Sequence, residues 1–194
     1  KKLAADDDCI VLDVKTGSGS FMKTIEDSTT LARIMVNIGK RAGKKMLALI
    51  TDMDIPLGRA IGNALEVKEA IEVLNGEGPD DLTEVCVALA TNMLYLAERG
   101  SLEQCEKDVR RVLKDKTALG VLKKMVIAQG GNGELIDNPS LFKTAAYSHE
   151  VLADKDGYIA KVDTEGYGIA SLLLGAGRNK KEDKIDYSAG IVLN

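Results

Sequence analysis

The chain has 194 residues, with 26 Lys plus Arg against 30 Asp plus Glu, a net charge of −4, 45% hydrophobic and 29% charged residues. That balance is ordinary for a globular protein and excludes wholesale disorder, and an acidic chain without a basic stripe makes a poor nucleic-acid binder. No apolar run approaches the ~20 residues of a membrane span and no charged-then-apolar leader opens the sequence, so no membrane partner and a cytoplasmic location are expected.

For a chain of this size, surface scaling predicts ~9,000 Å² of exposed area when folded, against ~30,000 Å² unfolded. Cys9, Cys86 and Cys105 lie far apart without a CxxC pair, which predicts buried free thiols in a reducing compartment. The single histidine, His149, excludes multi-histidine metal sites. Its neighbour Ser148 is a poor nucleophile partner, so His149 reads as structural or solvent-facing. The sequence opens Lys1-Lys2-Leu3-Ala4 without Met and stops in the apolar run Gly190-Ile191-Val192-Leu193-Asn194, so it reads as a piece of a longer protein.

Cys9–Val14 is a continuous apolar run, the pattern of a strand buried on both faces. A Gly/Ser loop over 15–20 follows. Thr24 is placed to cap a helix near residues 25–42, with Asp27 three positions on. Leu31, Ile34, Met35 and Ile38 give that helix an apolar stripe, and Gly43 stops it. Met46–Ile50 is a second buried-strand run, so the three elements form a βαβ unit with parallel strands. Asp52–Gly58 is a loop. Asn63 with Glu66 is placed to cap a helix running to about Leu74. Gly76, Gly78 and Pro79 break it. The next helix carries Leu82, Val85, Cys86, Leu89, Met93 and Leu96 and stops at Gly100. Leu102, Cys105, Val109 and Val112 mark another. Leu119, Leu122, Met125 and Val126 mark a third, ending near Gly130.

From Gly130 to Pro139 the composition reads as a linker. Beyond it, Ala145–Ala153, the stretch around Tyr158, Ala160 and Val162, and Ile185–Leu193 read as strands. Ile169, Leu172 and Leu173 read as a short helix ending at Gly175. The expected fold class is therefore α/β: part of a mixed or parallel sheet flanked by helices over residues 1–135, then a small α+β unit over 136–194.

Three segments invite a chemical reading. Gly17-Ser18-Gly19-Ser20-Phe21-Met22 sits between a strand and a helix, as phosphate loops do. Met22 breaks the dinucleotide GxGxxG pattern and no Gly-Lys-Ser/Thr follows, so the residues alone favour a tight turn. Asp6-Asp7-Asp8 reads as a solvated turn rather than a divalent-metal cluster. Gly175-Ala176-Gly177-Arg178, with Lys180 and Lys181, reads as a helix stop and a charged surface loop.

The run from Leu12 to Met22 resembles the pyrimidine-nucleoside phosphorylase and thymidine phosphorylase family. So do Thr51-Asp52-Met53, the stretch from Gly62 to Ala70, and Leu174-Gly175-Ala176-Gly177-Arg178. Pro56-Leu57-Gly58 ahead of Gly62-Asn63-Ala64 resembles the bacterial pyrimidine-nucleoside branch. The resemblance implies phosphorolysis of thymidine, uridine or deoxyuridine to the free base and (deoxy)ribose 1-phosphate. Its partners would be a pyrimidine nucleoside and phosphate, in a protein that is a homodimer when intact. By the same resemblance Lys1 binds a pyrimidine carbonyl, Phe21 walls the base pocket, and Leu57, Ala60 and Glu69 ligate a potassium ion. Family members are about twice as long, and their phosphate loop and the Arg and Ser that grip the base precede Lys1. This chain by itself is therefore expected not to catalyse. The alternatives are a related nucleotide phosphorylase or phosphoribosyltransferase, or a non-catalytic α/β fragment.

Overall fold

The computed structural model describes residues 2–194. Strand β1 (Cys9–Thr16) pairs in parallel with β2 (Lys45–Asp52), in register from Cys9↔Lys45 to Thr16↔Asp52, and helix α1 (Ile25–Arg41) connects them. This is the βαβ unit that the two apolar runs predict. Thr24 caps α1: its Oγ1 accepts from the Asp27 N–H at 3.1 Å and donates to the Asp27 carboxylate at 2.9 Å.

The face that α1 turns to the sheet differs from the expected stripe. Ser28, Ala32 and Gly39 are buried, Leu31 and Met35 half-buried, and Ile34 and Ile38 exposed. Small residues win because the helix lies close to the sheet. A Cβ on Gly39 would fall 1.4 Å from the Met46 sulfur, so Met46 fills the space that a larger residue would need. The expected two-sided burial holds for neither strand: in β1 the buried Ile10, Leu12 and Val14 share one face while Asp13 on the other is exposed, and in β2 Ile50 is exposed. Among the described residues this sheet has two strands, so β1 and β2 are both edges.

Helix α2 (Asn63–Asn75) begins at Gly62, not under an Asn63 cap. Glu66 Oε1 accepts from the Gly62 N–H at 3.0 Å, while Asn63 Nδ2 donates to the Ala176 carbonyl at 2.8 Å. Helices α3 (Asp80–Leu96), α4 (Leu102–Lys114) and α5 (Thr117–Ala128) follow, α3 packing on both strands and α4 on α3. In α3 the buried positions are Val87 and Thr91, whereas Cys86 and Met93 are exposed, because this helix is apolar on more than one face. The expected burial of all three thiols therefore holds only for Cys105. Cys9 is half-buried and Cys86 exposed, and all three are free. Local desolvation nevertheless pushes the Cys86 thiol above its usual range.

The expected linker over 130–139 contains a short helix α6 (Glu134–Asp137) and a 3₁₀ turn at Pro139–Leu141, with Ile136 buried. Two of the expected C-terminal strands do not form: residues 145–153 and 158–162 have no regular structure, and Tyr147, Val151, Leu152, Tyr158 and Ile159 are exposed. A strand needs a neighbour for its N–H and C=O groups, and no described segment lies alongside. Helix α7 (Thr164–Ser171) continues into a wider π turn (Leu172–Ala176), within which Gly175, at φ +104°, breaks the helical geometry at the expected residue. The last expected strand shortens to β4 (Ile191–Val192), antiparallel to β3 (Ala60–Ile61). The exposed area is 13,750 Å², well above the ~9,000 Å² of a compact chain of this size.

Candidate active site

The C-terminal ends of β1 and β2 carry the loops where ligands of open α/β sheets bind. After β1 the chain closes on itself. Gly17 N–H donates to the Met22 carbonyl at 3.0 Å, Ser20 N–H to the Gly17 carbonyl at 3.1 Å, and Ser20 Oγ to the Met22 carbonyl at 2.5 Å. The loop after β2 takes the remaining donors: Gly19 N–H reaches the Met53 carbonyl at 2.9 Å and Ser18 N–H the Asp54 Oδ1 at 2.7 Å. All four amides from Gly17 to Ser20 are thus engaged within the protein. This part of the loop is the tight turn that its residues favour, and none of these four amides is left over for an anion. Lys23 Nζ donates to the Ser18 carbonyl at 2.7 Å.

Phe21 stands on this cross-bonded loop at 99% exposure. An aromatic ring so fully in solvent gains nothing for the fold. Lys1 lies outside the described residues.

Glu69 lies on α2 at 6% exposure, not on the helix surface. Its Oε1 accepts from the Arg59 N–H at 2.7 Å and the Ala60 N–H at 3.1 Å. The preceding amide, Gly58 N–H, donates to Asp81 Oδ2 at 3.0 Å. Two carboxylates therefore hold three consecutive amides of one loop. Gly58 has φ +70°, and a Cβ there would lie 2.6 Å from Glu69 Oε2, so glycine is required twice over. Among the described residues no Lys or Arg pairs with Glu69. Leu57 is half-buried and adjoins this loop, and Ala60 belongs to β3. Glu69, Ala60 and the Leu57–Gly58 turn are thus brought together.

The other segments stay apart from this site. His149 is exposed in the irregular stretch. Asp6 ion-pairs with Lys44 at 2.9 Å, and no cluster of three or more His, Cys, Asp or Glu suited to a metal occurs among the described residues. Gly175-Ala176-Gly177 docks on α2 through Asn63, and Arg178, Lys180 and Lys181 are exposed.

Two contributors escape the sequence reading. Asp54 binds Ser18, and Thr164 Oγ1 donates to the Asp54 carbonyl at 2.6 Å across 110 positions. The one available signal is Gly19, which lacks a positive φ but whose Cβ would fall 2.6 Å from Thr164 Cγ2.

Residues 1–119 match the glycosyl transferase family, a/b domain, and residues 158–194 match the pyrimidine nucleoside phosphorylase C-terminal domain. The chain belongs to this glycosyl transferase family, as the pyrimidine-nucleoside phosphorylase motifs of its sequence predict. It is 50% identical over 194 residues to a pyrimidine-nucleoside phosphorylase of Geobacillus stearothermophilus, and 49% identical over 195 residues to one of Staphylococcus haemolyticus. A Staphylococcus aureus protein of the same name is 48% identical over 195 residues. Each match takes in 100% of this chain but 45% of the relative, so the chain spans about half the length of these curated relatives. Among the described residues no helix is long and apolar enough to cross a membrane.

Proposed function

We propose that the whole protein is a pyrimidine-nucleoside phosphorylase that converts thymidine, uridine or deoxyuridine and phosphate into the free base and (deoxy)ribose 1-phosphate. The observation that carries this reading is Phe21: a solvent-facing ring next to four hydrogen-bonded amides at the ligand-binding end of the sheet. Such a ring suits a flat pyrimidine, because its whole face is open for apolar contact. The names of the relatives support the same reaction. In it, phosphate attacks the anomeric carbon while the pyrimidine leaves with negative charge. An ammonium at Lys1 aimed at a base carbonyl would stabilise that charge.

Potassium fits the donors around Glu69. The carboxylates are hard oxygens: buried Glu69, which pairs with no Lys or Arg among the described residues, and Asp81, which binds the same loop; the carbonyls of Leu57 and Ala60 would complete the set. When bound, the ion would neutralise Glu69 and hold the loop after β2 in one conformation. Residues 1–135 would form part of the phosphorylase α/β domain and 136–194 part of the smaller one, in a cytoplasmic homodimer.

The test is phosphate-dependent release of thymine from thymidine by the whole protein. Absence of release with thymidine and uridine alike refutes the proposal. In the active protein, Lys1→Ala should lower kcat/KM about 10²–10³-fold. Phe21→Ala should chiefly raise KM. Glu69→Gln should abolish any dependence of rate or melting temperature on potassium.

A further inference from the structure

We infer that Thr164 is a positioning residue for the loop that presents Phe21, acting through Asp54. The inference rests on the proposed role of Phe21 as the wall of the base pocket. The loop from Gly17 to Met22 is bonded within itself on one side, but on its other side it leans on residues Met53 and Asp54. Asp54 is the meeting point. Its Oδ1 accepts the Ser18 N–H at 2.7 Å, its carbonyl accepts the Ser18 hydroxyl at 3.4 Å, and its N–H donates to Asp52 Oδ1 at 2.8 Å. The same carbonyl accepts the Thr164 hydroxyl at 2.6 Å, the shortest of these contacts. Thr164 is buried, at 8% exposure, in the first turn of α7.

The packing is as close as the bonding. A Cβ on Gly17 would meet the Asp54 nitrogen at 2.6 Å, and one on Gly19 would meet the Thr164 methyl at 2.6 Å and the Met53 carbonyl oxygen at 2.9 Å. The two glycines therefore let the loop touch both the backbone after β2 and the Thr164 side chain, and Gly19 is explained by Thr164 rather than by its own φ. Asp163 caps α7 by accepting the Gly166 N–H at 3.0 Å, which fixes the turn from which Thr164 reaches over. The ion pair of Lys23 with Glu165, at 3.8 Å between exposed groups, adds little. A residue near the C-terminal end of the chain thus sets where the β1–α1 loop, and the Phe21 ring on it, stands against a nucleoside. A wall displaced by a fraction of an ångström weakens substrate binding before it slows bond breaking.

The experiment compares Thr164→Val, which keeps the shape and removes the hydroxyl, with Thr164→Ser, which keeps the hydroxyl, in the whole protein. The steady-state readouts are KM and kcat for thymidine, and amide hydrogen exchange is followed over residues 17–22. Thr164→Val should raise KM about 5–10-fold with kcat within about twofold, and should speed exchange at Ser18 and Gly19 about tenfold, the loss expected for one internal hydrogen bond. Thr164→Ser should restore both to within about twofold. Wild-type KM and exchange in Thr164→Val overturn the inference. So does equal impairment of the Val and Ser variants, or a lowered melting temperature with unchanged KM. A wild-type protein that releases no base refutes the functional reading instead, and the exchange comparison then decides the role of Thr164 by itself.

Discussion

The β1–α1–β2 unit and the stretch from 143 to 163 start from similar sequence material and end differently. Both contain apolar and β-branched residues in strand-like order. Cys9–Thr16 becomes a strand with Ile10, Leu12 and Val14 buried, because β2 lies on one side and α1 and α3 cover it. Tyr147, Val151, Leu152, Tyr158 and Ile159 have neither a pairing strand nor a covering helix, and they remain in solvent. Strand propensity is a statement about fitting a half-buried pleated surface, and where no such surface is supplied it produces nothing. The excess of exposed area over the compact expectation reflects that stretch and the bare outer faces of α1, α3 and α5.

Mutations can break or sharpen this contrast in the 194-residue chain. Leu12→Ala leaves a cavity in the cluster of Ile10, Leu12, Val14 and Ala32 and should destabilise by about 2–5 kcal/mol in chemical denaturation. A smaller value would mean that β1 is no better packed than the irregular stretch. Glu69→Ala removes the acceptor of the Arg59 and Ala60 amides and should destabilise by about 1–3 kcal/mol, with faster exchange at those two amides. Thr24→Ala deletes the α1 cap, an expected loss of about 1 kcal/mol. Tyr158→Ala should change stability by less than about 0.5 kcal/mol, and a larger effect would place that ring in a packed environment.

The smallest effect concerns pH. Asp186 accepts from the Ser188 hydroxyl and amide, at 2.6 and 2.9 Å, and these bonds hold its carboxyl below the usual carboxylate range. A folded pKa below the unfolded one stabilises the fold above the ordinary carboxylate pKa, and that contribution fades as pH falls through the folded value. Asp186→Asn should therefore flatten a slight acid-side decline in melting temperature below pH ~4. An unchanged decline would show that Ser188 does not depend on the charge.

Much of the α/β part was legible in the residues. Thr24 with Asp27, the two apolar runs and the glycine stops are local signals, and each acts within a few positions of itself. The motifs around Phe21 and Glu69 were legible as well, through family resemblance. What the residues hid was orientation. Ile34 and Ile38 look like the buried stripe of α1, yet Ala32 and Gly39 face the sheet, because the distance of approach to Met46 decides which face fits.

The sequence by itself determined the βαβ unit, the helices from α2 to α5, the turn character of the Gly17–Ser20 loop and the family of the chain. These follow from periodicity, caps and short motifs, all set by neighbours along the chain. Packing between distant elements sets the rest: Glu69 is buried against the Arg59 and Ala60 amides, β3 pairs with β4, and Thr164 reaches Asp54. Each of these joins residues between 9 and about 130 positions apart, and a contact across such a separation depends on where the intervening elements pack, which no local pattern encodes.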